Sequence, residues 1–273
     1  LNIWIPDGLT EIGNYSFEDC SSLTEISIPA NVKKLGYAAF RGCSSLANIR
    51  ITVGIDMING ETFRDCRNLT EIILPKSVRN IGYAAFSDCS QLKNINIPEI
   101  VIIIDKYAFN NCHKLLRITI PNGVEKIQYA TFSGCNDLVS IDLPDSLVSI
   151  DDYAFYGCRS LTQVSIPESV TSIGSYAFYS CQGLTSLILP DGVKSIGERA
   201  FRSCQGLTSI YLPEKLEAIA LEIFYDCRSL TNINLPSGID SIGMRAFYNC
   251  RSLTSIVIPE TVTNINSSTF SKC

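Results

Sequence analysis

The sequence is short of the residues that most chemistry depends on. Its 273 residues include one His, one Trp and two Met. A single His argues against a His-based metal site and against Ser-His-Asp or Cys-His catalysis. No run of 18 apolar residues occurs, so no transmembrane helix is encoded in this stretch. Basic residues (22) are fewer than acidic ones (27), which leaves a net charge of −5 and no clustered basic surface for nucleic acid. C-x-x-C spacing, a G-x-x-x-x-G-K-[ST] loop and a G-x-S-x-G elbow are all missing. Charged residues make up only 18% against 46% apolar ones, a balance that suits a globular chain with a large core.

What the chain has instead is periodicity. Its twelve Cys run from Cys20 to Cys273 with every gap equal to 23 residues. All twelve Phe lie three residues before a Cys, from Phe17 to Phe270, and all eleven Pro share one column from Pro6 to Pro259. The single vacancy in the Pro column is Thr52. A fixed period of this length signals a solenoid. No insertion interrupts it, so residues 1–273 read as one repeat array with an incomplete first repeat and no second domain.

One unit, from Cys158 to Cys181, shows the logic. Leu161, Val164 and Ile166 have the spacing L-x-x-L-x-L, and the alternation Val164-Ser165-Ile166 has the period of a strand. Pro167 cannot donate to a ladder and ends that strand. Val170 and Ile173 are further inward points on the returning arc, and Gly174 suits a turn. Ala177 and Phe178 open a short helical or 3₁₀ turn that reaches Cys181. The residue before Phe is Ala, Ser or Thr in every unit except at Ile223, which predicts close backbone packing there. One unit cannot bury its own apolar face. Stacked units bring Phe onto Phe and Leu onto Leu. With strands ~4.8 Å apart, twelve coils would make a rod or arc roughly 55 Å long.

The L-x-x-I-x-I-P strand and the A-F-x-x-C segment at period 23 resemble the leucine-rich repeats of bacterial and protist surface proteins, the BspA-like or Treponema-type class. The resemblance covers the whole chain. It implies a leucine-rich-repeat solenoid, a right-handed superhelix of 12 coils with a parallel β-sheet on its concave face and short helical or 3₁₀ turns on the return arc. It also implies an extracellular or cell-surface location and adhesin-like binding of a host or neighbouring-cell protein or glycan. One departure is clear. The Asn or Cys ladder that usually follows the strand is replaced by Gly8, Asn31, Ser77, Ser169 and Lys215, so this turn must be held in another way.

Twelve Cys raise the question of disulfides. Cys residues stacked in register point their Cβ atoms in parallel, whereas a disulfide needs opposed Cβ atoms about 3.5–4.5 Å apart. A buried ladder of free thiols is the expectation, with Cys273 the most reactive. His113 follows Cys112 directly, but neighbours in sequence should face opposite ways, with the Cys inward and the His outward. Asp151 and Asp152 occur at a turn in one repeat only and read as solvated. Catalytic residues, a metal site and a cofactor are therefore not expected. The sequons at Asn14, Asn68 and Asn266 carry no weight without a known compartment.

Function should lie in the columns that vary. The middle of each strand faces out of the concave sheet and holds Trp4, Ser27, Arg50, Ile73, Asn96, Thr119, Asp142, Ser165, Ile188, Tyr211, Asn234 and Val257. A polar column from Asn2 and Glu25 to Ser255 runs beside it. A second candidate stripe follows Phe in five successive units, at Tyr156, Tyr179, Arg202, Tyr225 and Tyr248. Tyr and Arg are enriched at binding hot spots, although descent from recent duplication would also give such a stripe. Ile100-Val101-Ile102-Ile103-Ile104 reads as an added strand on the return arc or as a sticky patch. Neither end carries a polar cap, which suggests a piece of a longer array or end-to-end self-association. The leading reading is a non-catalytic protein- or glycan-binding module. The alternative is a structural spacer or self-assembling stalk.

Overall fold

In the computed structural model, residues 3–52 and 54–273 are described. Leu1, Asn2 at the head of the polar column, and Val53 lie outside them. The chain winds as a parallel-strand solenoid of about eleven turns, built from 22 short strands among the described residues. That is one turn fewer than the twelve expected. The first unit enters part-way, and Ser255–Ile258 forms no strand.

The strands form two ribbons. The first runs from Glu25–Ile28 to Asn232–Ile233 and alternates exposed with buried side chains, as the sequence spacing requires. Its pairs are parallel with an offset of 23 residues, for example Glu25 to Asn48 and Ser140 to Gln163. The second ribbon lies on the return arc, from Glu11–Ile12 to Asn264–Ile265, two residues per coil. It was visible in sequence only as the inward points Val170 and Ile173. Ile103–Ile104 belongs to this ribbon, so the strand is not an addition peculiar to its coil. Val101 and Ile104 are buried, while Ile100, Ile102 and Ile103 are exposed.

The helical or 3₁₀ turns expected around each Phe are not formed, and no helix occurs among the described residues. The residues five and one before each Cys have positive φ, as at Ala38 (51°) and Gly42 (70°) or Tyr176 (58°) and Ser180 (57°). A left-handed residue at every fourth step breaks a right-handed helix. What forms instead is a chain of i to i+3 turns, such as Ala39 N to Gly36 O, Arg41 N to Ala38 O and Cys43 N to Phe40 O. The intervening N–H groups point to the next coil. Ala38 donates to Gly60, Phe40 to Thr62 and Gly42 to Arg64, at 2.8–2.9 Å. The small residue beside Phe thus supplies the carbonyl that the preceding coil's Phe N–H meets.

Gly174 serves a close approach rather than a turn. A Cβ there would lie 2.4 Å from the Asp152 backbone nitrogen. The turn after each strand is closed by bonds such as Val170 N to Pro167 O, 3.0 Å. Polar side chains in the former Asn-ladder column add bonds between coils, including Ser77 Oγ to Ile55 O and Ser169 Oγ to Leu147 O, both 2.6 Å. Thr52, which has the N–H that Pro lacks, uses it and its hydroxyl on Ile28 O.

Inside, the twelve Phe rings form one unbroken stack. Successive centroids are 5.0–5.8 Å apart, and the rings lie within 19° of parallel. Each pair contributes about 0.5–1.5 kcal/mol beyond its burial. All Cys are free, and those from Cys43 to Cys250 are buried. From Cys43 onward each thiol donates to the carbonyl of the Phe one coil back, as Cys158 Sγ does to Phe132 O at 3.2 Å. Burial pushes the Cys43, Cys204 and Cys250 thiols up to about 12, and it raises the other buried thiols too.

Between the unfolded and the raised folded pKa, these thiols ionise in the unfolded chain and stay neutral in the folded one. The stability they contribute is whole below the unfolded pKa, about 8.5, and is lost as pH rises toward 12. Urea midpoints should therefore fall steadily above pH 9, with a smaller fall in Cys158→Ala. Native thiol labelling should modify Cys273 first and leave Cys43 to Cys250 unreacted.

Candidate binding surfaces

The first ribbon presents its middle column to solvent. Trp4 is 91% exposed, Ile73 76%, Ile188 74% and Val257 83%. Tyr211, Arg50, Asn96, Asp142 and Asn234 are exposed as well. The apolar members group into two clefts. One, of about 860 Å³, is lined by Trp4, Arg50 and Ile73 with Glu25 and Glu71 beside them. The other, of about 770 Å³, is lined by Ile188, Tyr211, Asn234 and Val257. Between them the column is polar, with Asn96, Thr119, Asp142 and Ser165. Thr119 Oγ1 donates to Asp142 Oδ2 at 2.9 Å.

The Tyr-Arg stripe lies on the return arc, and its members pack into one column. Tyr156 stacks on Tyr179 (4.7 Å) and Tyr225 on Tyr248 (4.6 Å). Arg202 sits between the two pairs, 6.0 Å from the Tyr179 ring and 4.0 Å from that of Tyr225. Lys272 caps the far end, 5.2 Å over Tyr248. Such cation–π contacts contribute about 0.5–2 kcal/mol each.

A second row, which the sequence reading missed, runs beside it. Tyr153 stacks on Tyr176 at 4.8 Å, and Arg199 lies 5.4 Å from the Tyr176 ring. The rows touch at Tyr153–Tyr156 (5.7 Å) and Tyr176–Tyr179 (5.9 Å). The signal was present as the repeated Y-A-F-Y of residues 153–156 and 176–179. The Ala and Phe point inward, so the flanking Tyr side chains stand together outside.

Both rows are anchored by Glu222, which is buried at a left-handed position (φ 51°). Its carboxylate accepts from Arg199 Nε at 2.9 Å and from Arg202 Nη1, and it faces Arg245 Nη1 at 3.5 Å. Arg199 Nη1 also donates to the Tyr176 hydroxyl at 2.5 Å. Burial alone would raise the Glu222 pKa, but Arg199 and Arg202 outweigh it and hold the carboxyl below its ordinary value. Glu61 repeats the device near the other end. It pairs with Arg41 and Arg64, and its bond to the Tyr37 hydroxyl lifts that phenol to about 12.

His113 is exposed, with Nδ1 2.8 Å from Gly134 O, while Cys112 is buried and bonded to Phe86 O. The pair converges on no common point. Asp152 accepts from Ser175 N at 2.6 Å, a structural role.

The repeat geometry and the sequence columns agree with one family model, the BspA type leucine-rich repeat region (6 copies), which matches residues 1–116, 81–184, 103–210 and 171–273. The chain belongs to the BspA-type leucine-rich repeat family. Solved leucine-rich repeat proteins have a similar fold. A leucine-rich repeat protein from Bacteroides ovatus is 31% identical with a TM-score of 0.76, over 97% of this chain and 80% of that one. A leucine-rich cell surface protein from Faecalibacterium prausnitzii is 30% identical with a TM-score of 0.52, over 97% and 81%. The leucine-rich repeat protein of Treponema pallidum is 31% identical with a TM-score of 0.54, over 68% and 78%. No curated protein matches this BspA-type chain.

Glu222 contributes stability above the ordinary carboxylate pKa, and that contribution is lost as pH falls through its lowered folded value. Glu222→Gln leaves three guanidinium groups facing one another. It should cost roughly 2 kcal/mol at pH 7, discounted because the arginines are partly solvated. The difference from the parent chain should narrow by pH 3 in urea unfolding.

Proposed function

We propose that this chain is a non-catalytic, adhesin-like binding module that works outside the cell and holds a protein partner on its first ribbon. The observation that carries this reading is the pair of clefts built on Trp4, Ile73, Ile188, Tyr211 and Val257. Large apolar side chains grouped on a solvent face mark interaction surfaces. The two groups are five coils apart, roughly 24 Å, so a partner reaching both must be a macromolecule. The face is preformed on paired parallel strands, so little ordering entropy should be lost on association. No helix among the described residues is long and apolar enough to cross a membrane. The Faecalibacterium relative is described as a cell surface protein, which supports the same placement here. A spacer or stalk would present uniform polar columns, and these columns are uneven.

Fluorescently labelled protein should bind cultured epithelial cells or bacterial cells, read by flow cytometry. Ile73→Asp with Ile188→Asp should lower that binding at least tenfold, because each places a charge in a cleft of hot-spot character. Equal binding by the double variant, or no binding by the parent protein to either cell type, would favour the spacer.

A further inference from the structure

The two Tyr rows line a shallow, open groove of about 570 Å³ that runs from Ser133 to Arg199 and Arg202. It lies on the return arc, away from the clefts of the first ribbon, and its composition points to a different kind of ligand. We infer that this groove is a second binding site, for an acidic oligosaccharide: a glycan of at least two units that carries a carboxylate or sulfate group.

Three observations support the assignment. The first is an open aromatic face. Tyr156 stacks on Tyr179 on one side. On the other side its column continues with Ser133, which carries no ring. The outer face of Tyr156 therefore meets the groove above a small polar residue. A pyranose ring presents an apolar C–H face of matching size, and a flat ring with open space above it receives such a face.

The second is a fixed pair of cations at the far end. Arg199 and Arg202 are held by Glu222, which takes Nε of one and Nη1 of the other. Tyr176 takes Arg199 Nη1. Both arginine side chains stay about a quarter exposed, at 28% and 25%, so each guanidinium keeps an edge toward the groove. Arg245 shares the same carboxylate and Glu198 lies 3.9 Å from Arg199 Nη1, so three guanidinium groups face two carboxylates and one positive charge is left over on a chain of net charge −5. Guanidinium groups match the planar oxygen pairs of carboxylates and the oxygens of sulfates.

The third is the spacing and the phenol lining. Tyr156 and Arg202 lie two coils apart, roughly 10 Å, so one sugar on Tyr156 leaves its neighbour beside the arginines. Between these ends the lining is Tyr153, Tyr176 and Tyr179, with no aliphatic side chain. Aromatic ring edges carry positive potential, and phenol groups both donate and accept. This lining suits a chain of hydroxyl groups better than the side chains of a peptide. A bare phosphate would use the arginines and leave Tyr156 idle.

Titration calorimetry on the intact chain tests the site, with a hyaluronan hexasaccharide and a heparin-derived hexasaccharide as probes. Maltohexaose, inorganic phosphate and a tyrosine-phosphorylated peptide serve as comparisons. At least one acidic hexasaccharide should bind, and the three comparison ligands should bind at least tenfold more weakly. Tyr156→Ser and Arg202→Gln should each weaken the acidic sugar at least tenfold, while Tyr156→Phe keeps most of the affinity. Ile73→Asp with Ile188→Asp should leave it unchanged, which separates this groove from the first-ribbon surface. If Arg202→Gln melts early, Tyr156→Ser decides alone, since Tyr156 makes no contact with Glu222. Absence of binding by both acidic sugars would overturn the inference. So would unchanged binding by Tyr156→Ser, or equal affinity for the phosphopeptide, for maltohexaose or for phosphate.

Discussion

Each coil must bring its backbone back to the same place, one strand spacing further on, after 23 residues. The rest of the structure depends on that register. On the first ribbon it is kept by parallel strand pairs such as Ile118 to Ile141. On the return arc it is kept by N–H groups that alternate between closing a local turn and bonding to the next coil. Phe40, Phe155 and Phe247 each donate at 2.8–2.9 Å to the small residue beside the next Phe. The ring stack then follows, because rings fixed to a ladder of constant step must lie on one another. The thiols follow as well, each held to the carbonyl of a Phe in the coil before. A disulfide would pull neighbouring coils out of this spacing, and none forms.

Most of this framework was legible in the sequence because invariant columns report burial directly. Phe, Cys and Leu recur where coils touch, and Pro recurs where the first-ribbon strand must stop. The features that escaped notice are those with no residue-type signature. The second ribbon is two residues long in each coil, too short for an alternation to show. The left-handed positions five before each Cys hold Tyr, Ala, Glu, Arg or Ser rather than Gly, so a helical turn was the natural expectation from A-F-x-x-C. Left-handed geometry costs roughly 1–2 kcal/mol for such residues, and here the bonds between coils offset it. Glu222 and Glu61 escaped for the same reason. A Glu in a column that elsewhere holds Tyr, Ala, Arg or Ser carries no sign of burial in sequence, and only the fold brings arginines from the neighbouring coils over it.

Function separates from framework along the same line. The first-ribbon column was readable in sequence as variable and outward, and the structure adds that its apolar members gather at two places with a polar stretch between. The Tyr-Arg stripe was readable as one column, but the second row and the buried acid that fixes its arginines became visible only in three dimensions. A repeat that spends its constant residues on register leaves each arc free to carry its own surface. Two dissimilar surfaces on one array are a direct consequence.

Amide hydrogen exchange measured by NMR tests the register most directly. The backbone amides of Phe86, Phe109, Phe132, Phe155 and Phe178 sit in turns, where open loops exchange fast. Because each donates to the next coil, they should exchange as slowly as the first-ribbon amides of Ile118 and Ile141, with protection near that of global unfolding. Exchange of the Phe amides orders of magnitude faster than those strand amides would contradict the account.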